Sequence, residues 1–144
     1  MLRDDEDEIQ PALVAAALED AVMKHNVDIV NMSFRWQHET GNRHDELRTA
    51  LRKCFEKDVL IFAATSNDHI RSESGMAYPA RADGVIAIDA ATSKGDWLDI
   101  NPSRDNEFKT HRFTALGRDI GTDKNWPRMM ARPPPHQLWL VSPR

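Results

Sequence analysis

The chain has 144 residues, of which 40% are hydrophobic and 29% charged, with a formal net charge of -4. That length and balance suit one soluble domain with a modest core, and an acidic excess with no Lys/Arg cluster argues against a nucleic-acid binder. Apolar runs such as Leu13 to Leu18 and Val59 to Ala64 are far too short to span a bilayer, and no basic start leads into an apolar segment, so no membrane partner and a cytoplasmic placement are expected.

Residues 1–8 carry five acidic side chains and one Arg and read as a solvated edge. From Gln10 to His25 strong helix formers predominate, with Pro11 tolerable in the first turn. Val14, Leu18, Ala21 and Val22 form one apolar stripe on that helix, and the alanines beside it allow close approach to a sheet. A β-branched run from Val27 to Ser33 is the first strand. Residues 35–44 are polar, with Gly41 and Asn42, and read as a loop before a second helix that Asn42 could cap.

Between Asp45 and Lys57 the residues Leu47, Ala50, Leu51, Cys54 and Phe55 recur at i, i+3, i+4, i+7 and i+8, the spacing of a helix with one buried stripe. Cys54 is therefore a packed thiol rather than a nucleophile. As a single cysteine it can form no internal disulfide. No Cys/His spacing resembles a zinc site, and no cofactor is implied. Next comes Val59 to Asp68, an unbroken apolar run discharging into small polar residues, as a buried parallel strand does when it ends at a site. A polar loop, Tyr78-Pro79-Ala80 and a third apolar strand from Gly84 to Ala90 follow. After polar residues 92–111 there is a short apolar return at Phe113 to Leu116. Residues 118–144 hold three consecutive prolines, two tryptophans and two adjacent methionines without periodicity, and they predict no helix or strand.

The order helix, strand, helix, strand, strand predicts an α/β fold, a parallel sheet of at least three strands flanked by helices with right-handed crossovers. In such sheets ligands gather at the carboxyl ends of the strands. Asn67, at the exit of the longest apolar run, is the leading functional candidate. Taken alone it reads more readily as a turn residue closing a strand. Exposed strand edges in so small a sheet also predict self-association.

Residues 9 to 117 resemble the middle of the catalytic domain of subtilisin-like serine proteases, the subtilases. Val27 to Ser33 is similar to the family's DVINMSLG strand and Val59 to Asn67 to its VVVVAAAGN strand. Tyr78-Pro79-Ala80 with Gly84 to Ala90 resembles YPA…VIAVGA, and Phe113 to Gly117 resembles the later APG step. Each motif alone is weak, and four in the family's order are far more specific.

The resemblance implies a subtilisin-like three-layer fold, a peptide or protein substrate, and peptide-bond hydrolysis by a Ser-His-Asp mechanism. It implies that the Asn67 side chain donates to the oxyanion, a contribution of about 3 kcal/mol, a magnitude that comes from a subtilisin itself. It further implies that Ser33 and Phe34, with Ala64, Thr65 and Ser66, line opposite walls of the substrate groove, and that the Tyr78–Pro79 bond is cis. Arg35 and Ser66 stand where the family usually has glycine. The aspartate, histidine and serine motifs of the triad find no match. Gly121-Thr122-Asp123 mimics the nucleophile motif for two residues but offers a carboxylate in place of the hydroxyl. A shifted reading frame from roughly Asp119 onward would permit a Gly-x-Ser stretch near Leu138, on codon degeneracy alone, and the nucleotide sequence tests it.

Two functional classes follow. The chain is either a piece of a subtilase, inactive alone, or a non-enzymatic protease-like module that binds a peptide or protein partner through the same strand ends. His69 beside Asp68 makes no convincing dyad, because adjacent loop residues seldom point together. Trp36 and Trp97, in polar segments, are read as packing against the sheet.

Overall fold

The computed structural model describes residues 9–36, 44–66, 75–103 and 111–117 in full and residues 138–141 along the backbone. Helix α1 (Pro11–His25) opens on Pro11, whose missing N–H is one that a first turn leaves unbonded anyway. The Gln10 carbonyl accepts from the N–H groups of Leu13 and Val14 at 3.0 and 3.3 Å. The helix stops at Asn26, where a left-handed backbone (φ 47°, ψ 49°) turns the N–H back onto the Ala21 carbonyl. The predicted stripe of Val14, Leu18, Ala21 and Val22 is buried, joined by Pro11 and Ala15.

Helix α2 (Asp45–Glu56) buries Leu47, Ala50, Leu51 and Cys54 and keeps Phe55 half-buried. It packs on α1, and Lys53 donates to Glu19 of α1 at 2.7 Å. Asn42, expected as its cap, lies outside the described residues. His44 precedes the helix without a side-chain cap bond. Burial pushes the Cys54 thiol up from 9.0 to about 11. The folded chain thus holds this proton more tightly than the unfolded chain does. The resulting stabilisation is complete below pH 9.0 and is lost as pH rises through about 11. We expect a chromogenic disulfide reagent at pH 8 to react with Cys54 only after urea unfolding; rapid reaction with the folded chain would contradict this burial.

Strands β1 (Ile29–Met32), β2 (Leu60–Ala64), β3 (Ile86–Ala91) and β4 (Arg112–Leu116) form a parallel sheet, and β5 (Leu138–Val141) joins it antiparallel, in the order β4-β3-β2-β1-β5. Met32 stands beside Ala63, and Ala64 beside Ile88. The expectation that residues 118–144 contain no strand is corrected by β5. Four residues are too few to display an alternation, and the partner of β5 lies more than a hundred residues earlier in the chain. A backbone ladder on an open edge rewards pairing whatever the local pattern.

Alternation within the strands separates two faces. Val30, Met32, Ile61, Ala63 and Ala87 belong to one buried core with α1 and α2. On the opposite face Ile29, Phe62, Ala64, Ile86 and Ile88 are half-buried, and Phe113, beside Ile88 in β4, is 57% exposed. The described residues therefore supply the sheet and one helical layer. Two glycines permit close approaches. Gly84 has φ +82°, and a Cβ there would stand 2.9 Å from the Phe55 ring; at Gly117 a Cβ would stand 2.5 Å from that of Ala90. No helix among the described residues is long and apolar enough to cross a membrane.

Candidate functional site

Strand exits in a parallel sheet share one edge, so Ser33 and Phe34 after β1 stand beside Ala64, Thr65 and Ser66 at the end of β2. A third segment joins them. Ala77 donates its N–H to the Thr65 carbonyl at 3.1 Å, while Tyr78 and Trp36 exchange backbone bonds of 2.8 and 3.0 Å. The piece from Ala77 to Tyr78 thus ties the exit of β1 to that of β2. The Tyr78–Pro79 bond is cis, as the resemblance implied.

Aromatic packing fills the space beneath. Trp36 is 3% exposed and donates its indole N–H to the Ile9 carbonyl at 2.9 Å. Phe34 and His44 each meet the Trp36 ring edge-on with centroids 5.3 Å apart, and His44 meets Tyr78 at 5.2 Å. Burial of Trp36 against the sheet, expected from its place in a polar segment, is observed. Its pairing with Tyr78 has no counterpart among the sequence-based expectations.

The predicted groove residues differ in what they present. Ser33, Phe34 and Ala64 are half-buried, and Thr65 and Ser66 are buried. Ser66 has φ +149°, a conformation that glycine adopts far more readily, which gives a backbone reason for the glycine usual there in the family that the sequence resembles. Thr65 spends its hydroxyl on Asp89, donating to Oδ1 at 2.6 Å, so that side chain is committed inside the protein. Asn67 lies outside the described residues, as do His69 and the segment from Gly121 to Asp123.

Sequence reasoning misses the polar group beneath this edge, because Asp89 reads only as part of an apolar strand. Its side chain is wholly buried and accepts a two-pronged pair from Arg112, Nε to Oδ2 at 2.8 Å and Nη2 to Oδ1 at 3.0 Å. Trp97 donates to Oδ2 at 3.2 Å. Arg112 turns two more of its donors to the carbonyls of Ser103 and Pro102, at 2.8 and 2.5 Å. Asn101, also buried, bridges the Ala90 and Leu98 carbonyls through Nδ2 and accepts the Ala90 N–H. The one available signal is an acidic residue in an otherwise apolar strand, which needs a buried partner. Among the described residues no group of three His, Cys, Asp or Glu could hold a metal ion.

The sequence model of the Subtilase family matches residues 1–132. Over 101 residues, 70% of this chain and 14% of the relative, the sequence is 30% identical to the minor extracellular protease Epr of Bacillus subtilis (strain 168). The structure is similar to that of the prenylagaramide maturation protease PagA, with a TM-score of 0.68 and 26% identity, covering 98% of this chain and 46% of PagA. A PatG macrocyclase in complex with peptide shares the fold at a TM-score of 0.65 and 24% identity, over 90% of this chain and 38% of that one. The chain spans less than half the length of each of these proteins.

Proposed function

The chain belongs to the subtilase family, and on that premise we propose that it is the substrate-groove portion of a subtilisin-like serine endopeptidase domain. An extended peptide lies between Ser33–Phe34 and Ala64–Ser66, with the Asn67 amide donating to the oxyanion of the tetrahedral intermediate. The observation that supports this most is the convergence of the β1 and β2 exits, tied together by Ala77 and Tyr78, at the edge where α/β folds bind ligands. Hydrolysis requires a nucleophile, its base and an orienting carboxylate, and no stretch of this sequence matches the family's motifs for them. In this reading the chain alone binds peptide and does not cleave it. The apolar sheet face bearing Phe62, Ile86 and Ile88 fits a domain in which further elements cover both faces.

The test is titration of the isotope-labelled chain with a pool of capped tetrapeptides, observed by NMR. Amide shifts concentrated at residues 33–34 and 64–66 are expected, and shifts scattered over the surface would refute the groove. A serine-directed fluorophosphonate is expected to leave the chain unlabelled. Labelling abolished by Asn67→Ala would show a working nucleophile and overturn the claim of inactivity. The presence of Arg35 and Ser66 where subtilases usually carry glycine favours a second reading, a peptide-binding module without hydrolysis in any context. Joining this chain to the remaining subtilase elements and assaying peptide cleavage separates the two.

A further inference from the structure

Asp89 lies on the core-side face of β3, between Ala87 and Ala91, where apolar residues alone would complete the packing. A carboxylate with no exposed side-chain surface is retained there only when donors replace its water. Four side-chain hydrogen bonds do so, from Thr65, from Arg112 twice and from Trp97. Arg112 is held in turn by the Pro102 and Ser103 carbonyls, so the carboxylate has little freedom to shift.

The rigid end of this chain of bonds is the exit of β2. Thr65 donates its N–H to the Ile88 carbonyl at 3.1 Å and its hydroxyl to Asp89, and its carbonyl accepts from Ala77. It is therefore gripped on three sides, between Ala64 and Ser66. Ser66 keeps a sparsely populated backbone conformation, which persists only where the surroundings over-determine it. From this geometry we propose that Asp89 is a positioning residue for the peptide groove: anchored by Arg112, it fixes Thr65 and thereby the backbone of Ala64 to Ser66 in the form that receives a peptide. It touches no substrate itself. The inference rests on the groove reading above, and its test keeps the two apart.

Thr65→Val keeps the volume and branching of threonine and removes only the hydroxyl that Asp89 holds; Thr65→Ser restores it. Amide hydrogen exchange and tetrapeptide affinity are measured on the whole chain for all three forms. In Thr65→Val we expect exchange of the Thr65-site and Ala77 amides to be about tenfold faster with α1 amides unchanged, and affinity to fall about tenfold. Thr65→Ser returns both to the wild-type values. Unchanged exchange at the two amides, or an equal rise throughout α1, overturns the proposal, because the hydroxyl then either holds nothing or acts only on global stability. Faster local exchange with unchanged affinity also overturns it. If the wild-type chain binds no tetrapeptide, the groove reading fails, and the exchange at the two amides alone decides whether Asp89 orders this edge.

Discussion

Asp89→Ala lowers the unfolding free energy of this chain by about 3 kcal/mol, because it leaves the half-buried Arg112 guanidinium with only two carbonyls for company. The side chain of Arg112 is 15% exposed, so water softens the loss relative to a fully enclosed charge. Urea unfolding measures the change, with Arg112→Met expected to cost a similar amount. The double variant Asp89→Leu with Arg112→Met should recover part of the loss, since no charge is then left unpaired while the Thr65 hydroxyl, the Trp97 N–H and the Pro102 and Ser103 carbonyls lose their partners. A loss under about 1 kcal/mol in the single variants would mean that water reaches the pair as it does a surface ion pair. Such a pair is already present on α1, where Lys24 and Asp20 meet in solvent. Asp20 is held below its ordinary value mainly by its hydrogen bond to Lys24, and the change Asp20→Asn is expected to leave stability nearly unaltered.

Leu18→Ala costs about 3 kcal/mol, the transfer of an isobutyl group plus the cavity that it leaves between α1, α2 and the sheet. Leu13→Ala is the matched control. It makes the same substitution in the same helix, gaining the same helix propensity, yet Leu13 is 68% exposed, and the change should stay within about 0.5 kcal/mol of zero. Equal losses at the two positions would contradict the orientation of α1.

Those two predictions concern residues of very different legibility. The burial of Leu18 could be read directly, because a helix repeats every 3.6 residues and Val14, Leu18, Ala21 and Val22 fall on one side of it. The same argument located Leu47, Ala50, Leu51 and Cys54 on α2. Asp89 could not be read so. Its partners Thr65 and Arg112 lie 24 and 23 residues away, and Arg112 directly precedes the apolar return at Phe113, at the end of a polar segment.

The candidate site divides in the same way. The exits of β1 and β2 are recognisable from apolar runs that end in Ser33 and in Thr65 and Ser66. The bridge between them, Ala77 and Tyr78 pairing with Thr65 and Trp36, joins three segments separated by loops. Nothing in the loops themselves states that meeting. β5 is a sharper case, since its four residues pair antiparallel with a strand near the other end of the chain.

By itself, then, the amino-acid order determined the two helices with the direction of their apolar stripes, three of the parallel strands and the family, because each of these rests on local periodicity or on short motifs in sequence. Tertiary structure alone decided which strand edge β5 covers, and that the carboxylate of β3 would be neutralised from β4 and turned to hold the end of β2. Such contacts follow from register between distant segments, and register is settled by the packing of the whole sheet rather than by any one stretch of it.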